Sequence, residues 1–385
     1  MITALIAMAM SDLTDQVSAD RLRATVEKLA SFHTRNTLSP TLNDAAKWLA
    51  SEFEKIPGVK VELMTYTLPK SRRVPEDKQV VQVVATLPGK TDRRILMGGH
   101  LDSLNLEVDA ATGRAPGAND DASGVAASLE CARLMATKQW NHTLVFVGFT
   151  GEEQGLHGSQ ALAKRAKAEG WKLEAILNND TVGSSSNKSG QKDEKHIRVF
   201  SEEYLPNSAA TIQRHNSREL ARYIEFVVRQ QTKDFNVKLV LRRDRFGRGG
   251  DHTPFVEEGF DAVRFIEVHE EYTRQHTPDD LTEHMDWNYL ANATKTNLRV
   301  LSALASAGDA PTDVRVRMDQ SHDTTLTWKG TPGTKYVVYW RDTGSTTWNT
   351  AIPAGEVETF LVKGVNKDDH FFAVGAENGV PVAAR

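Results

Sequence analysis

His100, Asp120, Glu153, Asp180 and His276 are the residues of this 385-residue chain whose types and positions could do chemistry. The first four each follow an apolar stretch that reads as a buried strand. Active sites of open α/β sheets collect where strands end and loops begin. Imidazole nitrogen and carboxylate oxygen are donors that zinc accepts, and a catalytic zinc keeps a position open for water or substrate. Two zincs about 3.5–4 Å apart can share a carboxylate and a hydroxide. The five residues can be read as two pairs of terminal zinc ligands plus one bridging carboxylate.

Two acidic pairs strengthen that reading. Gly117-Ala-Asn-Asp120-Asp121-Ala-Ser-Gly124 places paired acids where a loop enters a helix, and Thr150-Gly151-Glu152-Glu153 places a second pair at a strand end. Adjacent carboxylates repel unless a cation or a proton offsets them. One Glu of a pair can bind metal while its neighbour handles protons. Each motif alone has a plainer explanation. Asp-Asp before a helix is ordinarily an N-cap with a favourable dipole contact, a lone Glu-Glu is solvated surface, and a lone His-x-Asp is a satisfied polar pair. Their joint occurrence in one order, at carboxyl ends of strands, points to metal. His269 lies near the same strand and competes with His276, whereas His252 reads as structural beside Asp251. Other hydrolase signatures are missing: His269-Glu-Glu-Tyr-Thr273 ends in the wrong residue for His-Glu-x-x-His, and no Gly-x-Ser-x-Gly elbow occurs.

The elements that must hold these groups follow from periodicity. Residues 19–32 and 41–56 read as amphipathic helices, with Ala45, Trp48, Leu49, Phe53 and Ile56 on one face of the second. Segments 59–68, 79–87 and 94–98 read as strands, the last running into Gly99-His100. A helix over 121–135 follows. Segment 143–149 is a near-continuous apolar run, the mark of a strand buried on both faces. Then come a helix over 157–169, a strand over 173–178 that ends at Asp180, a polar loop from 184 to 194, a helix over 219–230, strands at 237–241 and 262–266, and a helix over 287–305. Strands alternating with helices predict a three-layer α/β/α sandwich with a mixed, mostly parallel central sheet.

After residue 306 the texture changes. Ala307-Gly-Asp-Ala-Pro311 reads as a linker, and 312–385 as a separate all-β unit with strands near 314–318, 324–328, 335–340, 346–350, 358–362 and 370–374. Even spacing of short strands suggests a small β-sandwich.

Composition bounds the rest. The net charge of −4 argues against a nucleic-acid binder held mainly by phosphate contacts. Cys131 is the only cysteine, so no intrachain disulfide and no cysteine-rich zinc site can form, and it reads as a buried structural thiol. No apolar run is long enough to span a bilayer. Residues 1–10 are apolar without a basic start; they fit the stump of an export signal, which would make the protein secreted or periplasmic, or a first helix lying on the domain.

Gly99-His100-Leu101-Asp102-Ser103, the 117–124 and 151–159 stretches, Asn179-Asp180, Gly249-Gly-Asp251-His252-Thr-Pro-Phe255 and His276-Thr-Pro-Asp279 together resemble the motif set of the M28 family of zinc aminopeptidases, of the bacterial leucyl-aminopeptidase kind. The likeness covers most of residues 20–305. It implies two zinc ions, with Asp120 bridging, His100 and Asp180 as terminal ligands of one and Glu153 and His276 of the other. It also implies Glu152 as general base, Asp102 as the acid that orients the His100 ring, and a cis Asp120–Asp121 peptide. The implied reaction is hydrolysis of the N-terminal peptide bond of peptides with a free N-terminus. Glutaminyl cyclase, carboxypeptidase or dipeptidase activity on a related scaffold are the alternatives, and an inert binding protein is the non-enzymatic one. Some relatives polarise the scissile carbonyl with a Tyr; here Tyr272, Arg245 and Arg248 are the candidates for substrate binding. Thr325-Leu-Thr-Trp328, Tyr336-Val-Val-Tyr339-Trp340-Arg341 and Phe371-Phe-Ala-Val-Gly-Ala376 resemble a fibronectin type III domain.

Overall fold

The computed structural model describes residues 13–107, 111–201, 217–244 and 248–385. The apolar start at 1–10 and the candidate Arg245 lie outside them. The first unit is an eight-stranded sheet between two helical layers. In chain order it comprises α1 (Ala19–Ala30), α2 (Thr41–Glu54), β1 (Lys60–Leu68), β2 (Lys78–Leu87), β3 (Arg93–His100), α3 (Ala122–Met135), β4 (Thr143–Phe149), α4 (His157–Ala168), β5 (Lys172–Asn179), β6 (His196–Phe200), α5 (Ser217–Gln231), β7 (Asn236–Val240), α6 (Thr253–Glu257), β8 (Ala262–Glu267) and α7 (Trp287–Ala305). The sheet order is β1-β2-β4-β3-β5-β8-β6-β7. The four central strands β4, β3, β5 and β8 are mutually parallel, with antiparallel strands flanking them.

Strand β4 is buried at all seven positions, as its unbroken apolar run requires. Its residues alternate between two cores. Leu144 and Phe146 pack with Leu49, Val125, Ile224 and Leu301 on the layer of α1, α2, α3, α5 and α7. Val145, Val147 and Phe149 pack with Leu162 and Phe255 on the layer of α4 and α6. Each such side chain, fully buried, contributes about 1.5–3 kcal/mol of transfer free energy. Cys131 is fully buried in the first of these cores. Strand β6 goes unread in the sequence. It is short, follows a polar loop, and carries Arg198, whose guanidinium donates to the Glu267 carbonyl at 2.7 Å and to Glu270 at 2.5 Å.

The remaining strands are β9 (Thr312–Val316), β10 (Thr324–Lys329), β11 (Tyr336–Asp342), β12 (Thr350–Gly355), β13 (Thr359–Val362), β14 (His370–Ala376) and β15 (Val382–Ala383). They form sheets β13-β10-β9 and β12-β11-β14-β15. Val314, Leu326, Trp328, Tyr336, Val338, Phe372 and Val374 fill the space between the sheets. The strand expected at 346–350 lies instead at Thr350–Gly355. A turn closed by the Ser345 N–H to the Asp342 carbonyl precedes it, and Trp348 is buried just ahead of the strand. Pro353 is tolerated because β12 is an edge strand. Among the described residues no helix is long and apolar enough to cross a membrane.

Candidate metal centre

Strands β3, β4, β5 and β8 end side by side, so the loops that follow them converge. Strand β3 delivers His100, whose backbone N–H donates to Asp121 Oδ2 at 3.0 Å. The other oxygen of Asp121 accepts from the Gly124 N–H at 3.0 Å and caps α3. The acidic pair thus divides its labour: Asp121 takes the capping role and Asp120 is free to face the site. The peptide between them is cis, as the motif implied, and Asp180–Thr181 is cis as well.

The loop carrying Asp120 is held from two sides. Asp280 accepts the backbone N–H groups of Asn119 and Asp120, each at 2.9 Å. The buried Arg35 guanidinium donates to the carbonyls of Leu101, Pro116 and Gly117 at 2.7, 2.5 and 2.9 Å, which ties the β3 exit to the start of this loop. Burial lowers the Arg35 pKa to about 10, against the pull of Asp280 and Asp102. Gly117 sits at φ 52, and a Cβ there would stand 2.4 Å from the Asp120 carbonyl oxygen.

The exit of β4 is organised by Asp102, in a way that differs from expectation. The group nearest His100 Nδ1 is the Asp102 backbone carbonyl, at 3.0 Å, while the Asp102 carboxylate lies 3.8 Å away. That carboxylate accepts the N–H groups of Glu152 and Glu153 at 3.3 and 3.2 Å and the Thr37 hydroxyl at 3.0 Å. An Nδ1–H donated to the carbonyl leaves Nε2 bare, the tautomer a metal ligand needs. Asp102 therefore fixes the His100 ring through its main chain and the Glu152-Glu153 turn through its side chain. Gly151 in that turn has φ 73, and a Cβ would meet the Tyr66 hydroxyl at 2.6 Å.

The side chains from these loops meet around Asp120. Its Oδ1 lies 2.9 Å from His100 Nε2, and its Oδ2 lies 3.1 Å from His276 Nε2. Asp180 Oδ1 stands 3.9 Å from His100 Nε2, and Glu153 Oε2 stands 3.2 Å from His276 Nε2. All five expected ligands come together, in two flanks about one carboxylate. His276, rather than His269, supplies the second imidazole. Glu152 lines the same cleft.

Four carboxylates and two imidazoles are crowded together here. Burial raises the Glu152 carboxyl well above its ordinary range, and Glu153, Asp180 and Asp251 add to the rise. Burial and Asp120 raise Glu153. At His276 burial opposes the charged form, but the Asp120 and Glu153 carboxylates outweigh it and lift the pKa to about 11. His100 is raised well above its ordinary value despite complete burial, chiefly by Asp120 and then Glu152. Glu153 Oε1 is also buried with no hydrogen-bond partner, and one donor atom each from His100, Asp120 and Glu153 lies within 4.8 Å of the others. An orphaned carboxylate oxygen among such donors fits a bound divalent cation.

Several supporting groups escape sequence reading. Gln275 Nε2 donates to Asp120 Oδ2 at 2.7 Å. The Arg264 guanidinium lies 3.1 Å from Asp180 Oδ2 and donates to the Asp180 carbonyl at 2.9 Å. Asn119 Nδ2 donates to Glu267 at 2.9 Å. Arg264 and Glu267 had a signal: a charged residue inside an otherwise apolar strand is rarely buried unless paired. Arg35 stands outside any motif. Of the substrate-binding candidates, Arg248 lines the cleft but is engaged by Glu270. The Tyr272 hydroxyl donates to Glu270 Oε2 at 3.0 Å, and Tyr272 is not among the residues lining the cleft.

Comparison with known proteins agrees with this geometry. Residues 82–301 match the model of peptidase family M28. A probable zinc metalloprotease of the fungus Leptosphaeria maculans is 34% identical over 94% of this chain and 92% of its own. Among solved structures, an aminopeptidase of Legionella pneumophila superposes with a TM-score of 0.60 at 21% identity, over 78% of this chain and 75% of that one. A glutaminyl cyclase of Fimbriiglobus ruber superposes with a TM-score of 0.56 at 19% identity, over 74% and 94%. The solved bacterial structures share the fold, whereas the Leptosphaeria relative matches over nearly the whole chain. The chain belongs to peptidase family M28 and is a zinc metalloprotease of that family.

Proposed function

We propose that the chain is a di-zinc aminopeptidase that hydrolyses the N-terminal peptide bond of peptides. One observation carries the reading: the two oxygens of Asp120 face different imidazoles, His100 at 2.9 Å and His276 at 3.1 Å. A carboxylate presented that way suits a bridge between two cations better than a single ion. Asp180 completes the His100 flank and Glu153 the His276 flank. Zinc bound there would supply Lewis acidity and lower the pKa of water toward neutrality.

The chain's own groups do the rest. Asp102 and Thr37 hold the Glu152-Glu153 turn so that Glu153 reaches the cage and Glu152 the cleft. Glu152, lining the cleft beside the ligand cage, is placed to take a proton from the attacking water and return it to the departing amine. The acids of the cleft attract the free α-amine of the substrate, which restricts cleavage to chain ends. Glu152→Gln should retain zinc and lose about 10²–10⁴-fold in turnover. Metal analysis paired with aminoacyl chromogenic substrates, with and without chelator, checks this. Full turnover in a metal-replete Glu152→Gln protein would remove Glu152 from the mechanism, and turnover indifferent to chelator would remove zinc.

A second reading, cyclisation of N-terminal glutamine, draws on the likeness to the Fimbriiglobus ruber cyclase. Offering a glutaminyl peptide and following loss of ammonia against release of free glutamine separates the two. Cleavage of peptides with blocked N-termini would favour a carboxypeptidase instead. We further assign residues 1–306 to the peptidase unit and 312–385 to a fibronectin type III-like sandwich, on the strength of its two-sheet core.

A further inference from the structure

Among the described residues, three arginines line the cleft beside the metal-ligating side chains: Arg73, Arg248 and Arg264. Two of them are committed. Arg264 is buried and paired with Asp180, and Arg248 is held by Glu270. Arg73 differs. It is exposed, and its single hydrogen bond runs from Nη1 to the Glu153 carbonyl at 2.7 Å. Its Nη2 and Nε donors are left for another group.

The position of Arg73 is built. It lies between β1 and β2 in a tight turn, where the Ser71 N–H donates to the Val74 carbonyl at 2.9 Å and the Val74 N–H returns to the Ser71 carbonyl at 3.2 Å. Val74 is fully buried beneath the turn, and the Lys70 N–H donates to Asp77 Oδ1 at 2.7 Å. The turn therefore holds a guanidinium against the main chain of Glu153, in the cleft that His276 also lines. The same cleft is lined by Gly155, which has no side chain to obstruct a ligand, and by Leu156, half-buried and aliphatic. A planar fork with spare donors, anchored on the main chain of Glu153 and lining the same cleft, matches the terminal carboxylate of a short peptide.

We propose that Arg73 is a positioning residue that binds the α-carboxylate of the leaving amino acid, so that the natural substrates are dipeptides with both termini free. This rests on the aminopeptidase reading. The test compares a dipeptide such as Leu-Gly with its C-terminal amide, Leu-Gly-NH2, on the zinc-loaded wild type and on Arg73→Ala and Arg73→Lys. The free acid should be preferred by about tenfold in KM, with similar kcat, because the contact is present in the ground and transition states alike. Arg73→Ala should abolish that preference by raising KM for the acid alone, at unchanged zinc content, and Arg73→Lys should restore part of it. Equal KM values for acid and amide on the wild type would overturn the proposal while leaving the aminopeptidase reading intact. A loss of both substrates together in Arg73→Ala would also overturn it, assigning Arg73 to support of the Glu153 turn. Failure of the wild type to cleave either substrate would instead defeat the underlying reading.

Discussion

Asp120 and its neighbours show how adjacent, chemically identical residues acquire different duties. Asp121 caps a helix and braces β3, while Asp120 spans two imidazoles. The same logic separates Glu153, which reaches His276, from Glu152, which borders the open cleft. The protonation of these groups yields a prediction. The Asp120 and Glu153 carboxylates lift the His276 pKa to about 11, so its imidazole holds a proton at neutral pH. A metal binds only the bare imidazole nitrogen, so loading must expel protons and affinity must rise with pH. Zinc affinity of the chelator-stripped protein should increase by at least about tenfold per unit between pH 6 and 8 if one proton is released. Competition against a zinc indicator at several pH values measures this, and a flat profile would show the imidazole already deprotonated in the free protein.

At the scale of elements, the site depends on segments that never touch metal. The turn before α7 contributes Asp280, which accepts two main-chain N–H groups from the loop preceding α3. Asp280→Ala would leave both donors without their partner and let the Asp120 loop drift. Groups that orient metal ligands in this way are typically worth about 10–100-fold in metal affinity. Asp280→Ala should therefore bind zinc about 10–100-fold more weakly while keeping its helical circular dichroism. An unchanged affinity would mean that Arg35 alone suffices to hold the loop. The element pattern itself was readable because β4 and β5 are apolar runs between helices of regular period. Strand β6 was not, since a short, half-buried strand after a polar loop carries no periodic signal of its own; its pairing with β8 makes it a strand.

For the whole molecule, the relation between the two units is the main finding that composition did not reveal. The outer face of the four-stranded sheet is covered by α5: Phe226 meets Tyr339 edge-on with centroids 5.5 Å apart, and Tyr339 stands 6.0 Å from Trp348. Arg229 Nη2 donates to the Trp348 carbonyl at 2.7 Å and Arg222 Nε to that of Thr346 at 3.0 Å. The C-terminal strands are therefore packed directly against α5. Trp348→Ala should destabilise the protein by about 3–5 kcal/mol, the usual range for deleting a buried aromatic side chain. Chemical denaturation would register this as a lower midpoint. No change would indicate that the sandwich contributes little to the measured unfolding.

The ligand inventory was legible in the linear chain because strands of a parallel sheet all end on one edge, so residues that follow them must meet. That consequence of topology required no knowledge of side-chain positions, and it placed His100, Glu153 and Asp180 in one neighbourhood, with Asp120 at the helix entry that follows β3. What holds them there was decided only in three dimensions. The main-chain carbonyl of Asp102, the buried Arg35, the Asp280 clasp and the free face of Arg73 depend on distances between segments far apart in sequence. Hydrogen bonds of that kind are directional and short-ranged, and no spacing along the chain encodes them.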